Sequence, residues 1–177
     1  MGQYYYPIVL SADGKIVVWM LAHSYGNGLK LMEHSWIGNN FVSTFEFGLS
    51  PEGPHHKSRV VWAGDYADAE PEKEDNLYHE CTEYNEIRPD EKNTDKYRFI
   101  VNHSKKLFVD KTNVPKCSND FVIHPLPLLT AEGNGRGGGD FRDGDPLVGS
   151  WARDVISVEE TAPPDFEEIV FDLVEKI

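Results

Sequence analysis

The chain is poor in cysteine, in basic charge and in long apolar runs, and each shortage removes a class of protein from consideration. Its two cysteines, Cys81 and Cys117, lie far apart with no CxxC spacing, which argues against a disulfide framework or a thiolate zinc site, so both are expected to be reduced. No stretch approaches the roughly 20 apolar residues needed to cross a bilayer. The start MGQYYYPIVLSADGK has neither the basic region nor the apolar run of a secretory leader, and Tyr6 stands where a myristoylation signal needs Ser or Thr. The expectation is a soluble cytoplasmic protein with no membrane partner. Basic residues number 17 against 30 acidic ones, a net charge of −13. That balance disfavours nucleic acid as a partner, because phosphate binding needs a basic footprint.

What is present is material for one core. At 177 residues, 40% hydrophobic and 12% aromatic, the chain can bury about 70% of its unfolded surface as a single domain over 1–177. The acidity is unevenly placed. Residues 65–95 hold twelve acidic and three basic side chains and 159–177 hold seven and one, whereas 1–64 are balanced and 96–158 are slightly basic. An acidic insert at about 68–95 reads most simply as a solvated loop, and otherwise as a surface for a basic protein or a mimic of DNA.

Local patterns predict an α+β domain on a mostly antiparallel sheet with β-hairpins and one to three short helices. Runs at 4–10 and 15–21 flank Asp13-Gly14, a strong hairpin signal. A second hairpin joins 96–101 to 106–110 through a turn at Asn102 to Lys105. The segment 29–36 is a strand or one helical turn. A helix opens at Asn39 or Asn40, with Phe41, Val42, Phe45 and Leu49 on one face, and stops before Pro51. Residues 59–63 form a buried strand ended by Gly64-Asp65, and 76–84 a short helix. Pro125 and Pro127 mark 121–129 as an edge strand or polyproline segment. Another strand lies within 147–158, and 164–177 fits a helix or a strand equally.

Neither GxGxxG in a strand–helix setting nor GxxxxGK[ST] occurs, which disfavours a doubly wound nucleotide fold. The seven histidines show no HxH or HExxH spacing, so no metal site is expected, and no sequence pattern calls for a cofactor. The candidates for chemistry are weaker. Asp65 ends a strand at a glycine turn, where a rigid scaffold could aim a carboxylate, although Gly-Asp is also ordinary turn chemistry. His34 and His124 are further candidate bases. The loop at 133–139 carries five glycines around Arg136. Such a run either allows positive φ and close approach or serves as a connector. In the first case Gly135, Gly137 and Gly138 offer a nest of amides with Arg136 as an anion clamp. Arg153, beside Asp154, is either half of a structural ion pair or a second clamp.

The blocks MGQYY at 1–5, GNGLKLMEHSWIGN at 26–39, VVWAGDYA at 60–67, NHSKK at 102–106, IHPLPLLTAEGNGRGGGDF at 123–141 and GSWARD at 149–154 resemble a family of small uncharacterised bacterial and phage proteins that begin MGQYY. The resemblance spans most of the chain and implies no activity, cofactor or catalytic residue. Tyr6 replaces the polar or charged residue usual after the opening tyrosines, and 68–95 falls between the matching blocks.

Three functional classes follow from these features. The first is a non-catalytic binding module, taking a small anion at the Gly-Arg loop or a protein on the acidic face. The second is a hydrolase or transferase for a nucleotide-like substrate, with Asp65, His34 or His124 as base and Arg136 or Arg153 as clamp. The third is an acidic phage-type inhibitor of a host protein. Oligomeric state is not readable from the sequence.

Overall fold

Alternating aromatic and β-branched residues on either side of Asp13-Gly14 pair as the sequence predicts, and Gly14 supplies the positive φ (+84°) that the tight turn requires. A computed structural model describes residues 3–134, 141 and 145–174. Within them run nine strands: β1 (Tyr5–Leu10), β2 (Ile16–Trp19), β3 (Ser58–Gly64), β4 (Asn85–Glu86), β5 (Phe99–Asn102), β6 (Leu107–Asp110), β7 (Ala131–Glu132), β8 (Val155–Glu159) and β9 (Glu167–Glu168). Four short helices accompany them: α1 (Leu31–His34), α2 (Asn40–Gly48), α3 (Leu77–Glu80) and α4 (Pro125–Thr130).

The strands form one mixed sheet in the order β4-β2-β1-β3-β8-β5-β6-β9. All long pairings are antiparallel, including β1 with β3, where Tyr5 lies opposite Gly64 and Leu10 opposite Arg59. Parallel pairing is confined to the three two-residue strands β4, β7 and β9. The far edge of β3 is shared, because Ser58 and Arg59 pair with β8 while Trp62 and Ala63 pair with β7. At Gly64 an added Cβ would lie 2.7 Å from the Glu132 carbonyl oxygen. The glycine there serves close backbone approach.

Period-two alternation divides the apolar residues between the two faces. Tyr5, Val9, Val60, Trp62, Ile100, Ile156 and Val158 join a large core with α1, α2 and α4. Ile8, Leu10, Val61 and Ala63 point the other way and pack with Leu77 and Cys81. That second face is covered by the acidic segment, which corrects its reading as a solvated loop. Leu77, Tyr78 and Cys81 provide an i, i+1, i+4 apolar stripe within a run of charge, and Tyr78 stacks on Tyr6 with ring centroids 4.1 Å apart. Tyr6 is therefore part of a packed layer.

The proline-marked segment also differs from expectation, forming helix α4. Proline costs a helix nothing at its first position, where the missing N–H has no intrahelical partner. His124 caps the helix by accepting the Leu126 N–H at Nδ1 (3.2 Å). At the C-terminal end the alternation of Ile169, Phe171 and Leu173 prevails, giving β9 and an extended segment whose Phe171 and Leu173 enter the large core. No helix among the described residues is long and apolar enough to cross a membrane.

Candidate functional site

The four described candidates, Asp65, Arg153, His34 and His124, each lie in a different set of bonds, and only the two histidines are buried. At the end of β3, Asp65 is a structural turn residue. Its N–H donates to Tyr4 O (3.0 Å), and its Oδ1 accepts the Tyr4 N–H (3.0 Å). Its carbonyl accepts from Asn76 Nδ2 (3.1 Å), which also donates to Ala67 O and so ties down the start of the acidic segment.

Nearby, Arg153 is gripped by two carboxylates. Its Nε and Nη2 donate to Glu132 at 2.7 and 2.6 Å, and its Nη1 and Nη2 donate to Glu70 at 2.7 and 2.8 Å. Burial opposes its charge, but the hydrogen bonds from Glu70 and Glu132 outweigh that and raise its pKa above the usual value. The backbone of Arg153 is left-handed (φ +68°), held by its N–H on Val60 O and by Arg59 Nη1 on its carbonyl. These four bonds hold Arg153 in an ion pair with both carboxylates. Sequence reading missed Glu70 and Glu132, which lie 83 and 21 residues from Arg153 and carry no local signal of the pairing.

His34, at the end of α1, is fully buried. Trp62 Nε1–H donates to its Nε2 (3.0 Å), so the ring proton sits on Nδ1 and is donated to Gly28 O (2.9 Å). Burial lowers its pKa to about 4. The neutral ring thus links α1 to the central strand, and its single lone pair is already occupied.

His124 has the opposite tautomer. Its Nδ1 accepts from Leu126, so Nε2–H donates to Glu46 Oε2 (3.0 Å). Glu46, on the apolar face of α2, also receives Lys111 Nζ (2.6 Å) and Thr94 Oγ1 (2.5 Å). Burial pushes its pKa up, and the charges and hydrogen bonds of His124 and Lys111 reverse this, bringing it to about 2. Burial lowers the pKa of His124 too, so at neutral pH Lys111 is the charge that keeps Glu46 ionised. The signal for this network was a lone carboxylate between Phe45 and Leu49.

No hydrogen bond or ion pair among the described residues joins any two of Asp65, His34, His124 and Arg153. Gly135, Arg136, Gly137 and Gly138 lie outside the described residues. The described His, Cys, Asp and Glu residues include no group of three arranged to hold a metal.

The acidic segment is the remaining candidate. Around buried Asn76, Leu77, Cys81 and Thr94 it exposes Glu72, Glu74, Asp75, Glu83, Glu91 and Asp95. Its three basic residues are each tied to an acid of the segment: Lys73 to Glu80, Arg88 to Glu86 and Lys92 to Asp90. Tyr66 and Tyr84 are exposed along it. Compared with protein-family models, curated proteins and solved structures, the chain matches none of them.

Proposed function

We propose that the protein is a non-catalytic binding module that captures a basic protein surface on its acidic segment. One observation carries this reading. The surplus carboxylates of 65–95 stand on a segment packed onto the sheet through Leu77 and Cys81 and paired to its edge through β4, so they are displayed in place. A preformed acidic surface steers basic partners and loses little conformational entropy on docking. Exposed Tyr66 and Tyr84 add the amphipathic rings that protein interfaces favour. An enzymatic reading needs Asp65, His34 or His124 as base, yet Asp65 binds the Tyr4 backbone and both histidines are buried in structural hydrogen bonds.

The test replaces Glu72, Glu74, Asp75 and Glu83 with Gln and compares partner recovery from lysate with that of the unaltered protein. Because these side chains are exposed, the fold is retained, which circular dichroism checks. The expected result is a basic partner held by the unaltered protein, released by raised salt and lost by the variant. An identical partner profile for both proteins would sink the proposal.

A further inference from the structure

Although the chain is strongly acidic, one cavity gathers cationic and hydrogen-bonding groups around apolar walls. It measures about 290 Å³ and lies between α2, the loop after it and the end of the acidic segment. Phe47, Pro54 and Ile87 form its walls, and His55, Arg88 and Lys92 line it beside them. Its outer wall is fixed on both sides. Ile87 donates its N–H to Trp19 O (2.8 Å) and accepts from Tyr25 Oη (3.0 Å), while the Asp90 carbonyl lies 2.9 Å from Thr44 Oγ1 on α2.

The polar groups are available to a ligand. The His55 N–H donates to Gly48 O (2.8 Å), which anchors the residue, but its imidazole has no hydrogen-bond partner among the described residues. Burial lowers the pKa of His55, so the ring is a neutral N–H donor near pH 7. Among the described residues Arg88 pairs only with Glu86, at 3.6 Å, and its side chain is 77% exposed, so that contact is readily exchanged for a better one. Lys92 sits 4.6 Å above the Phe47 ring and pairs with Asp90 at 3.1 Å. Asp90 is the single acid among the described residues that line the cavity, which leaves one positive charge in surplus among them.

We propose that this cavity binds a small organic monoanion, a single-ring carboxylic acid, with the ring between Phe47, Pro54 and Ile87 and the carboxylate on Arg88 and His55. Arg offers a carboxylate two parallel donors, and the apolar walls select a flat body. The volume lies just below the range of about 300 to 1,000 Å³ for small-molecule sites, which suits a single ring. This site is separate from the proposed protein-binding carboxylates, and either can fail alone.

Benzoate titrated into the ¹⁵N-labelled protein, with benzyl alcohol as the neutral counterpart, tests the assignment. The expected result is saturable shifts centred on Gly48, His55 and Ile87 for benzoate. Binding should weaken by about tenfold or more, a change of about 1.4 kcal/mol, for benzyl alcohol and in Arg88→Gln. The amide spectrum of that variant reports whether its fold is intact, and the comparison of the two ligands needs no variant. The proposal is overturned if benzoate causes no saturable shift up to about 10 mM, well above a millimolar Kd. It is equally overturned if the shifts centre elsewhere, if benzyl alcohol binds as tightly, or if folded Arg88→Gln keeps full affinity.

Discussion

His34 shows how a residue type can suggest chemistry that its surroundings remove. Its one acceptor nitrogen takes the Trp62 N–H, so protonation has to break that bond inside the core. The unfolded chain binds a proton at the ordinary histidine pKa of 6.5, whereas the folded ring resists until about 4. The unfolded state therefore binds more protons across that window. Stability present above pH 6.5 is lost as pH falls through 4, by roughly 3 kcal/mol at about 1.36 kcal/mol per unit. Glu46 behaves differently. Its folded pKa lies below its unfolded value of 4.5, so its contribution is lost only as pH falls from 4.5 towards about 2. Urea unfolding midpoints are predicted to drop between pH 7 and 4.5, and to drop less steeply in His34→Gln. A midpoint that stays level in the unaltered protein over that range would contradict a buried neutral His34. Nothing local in the sequence separates an exposed histidine from this one, because the deciding partner, Trp62, is 28 residues away.

Elements whose causes are local were legible. Asn39 is the clearest case, since its Oδ1 accepts the N–H groups of Phe41 (2.9 Å) and Val42 (3.3 Å) and its Nδ2 donates to Asn27 (2.8 Å). Asn39→Ala is predicted to destabilise the protein by about 1 to 2 kcal/mol, measured by chemical denaturation. A loss within error would show that α2 is held by packing alone. The helix α4 is hidden in the sequence because Pro125 and Pro127 read equally as marks of an edge strand or polyproline segment. They sit in the first turn of a helix, where the backbone angle of proline already fits. The packing of the acidic segment is hidden for a related reason. Its charges are frequent and its apolar stripe is only one turn long, so the partner that makes the stripe meaningful, the β1 and β3 face carrying Ile8 and Val61, is invisible locally.

At the scale of the whole molecule, the net charge of −13 sets a repulsive background. Exposed pairs such as Lys73 with Glu80 offset little of it. Raising ionic strength from about 0.01 to 0.15 M shortens the screening length from about 30 to 8 Å. The melting temperature is predicted to rise over that range, and a fall would mean that specific ion pairs outweigh the general repulsion. Both ends of the sheet finish in two-residue strands rich in glutamate, β4 and β9, a short and charged border that discourages pairing with a second sheet. The α+β class, both hairpins, the buried strand β3 and the capped helix α2 were determined by the sequence alone, because turn chemistry, periodicity and capping act over a few neighbouring residues. Only the tertiary structure decided which carboxylates hold Arg153, that His34 and His124 are interior struts, that the acidic segment covers a sheet face, and that His55, Arg88 and Lys92 share a cavity. Those outcomes depend on contacts between segments far apart in the chain, and such contacts leave no periodic trace in either segment.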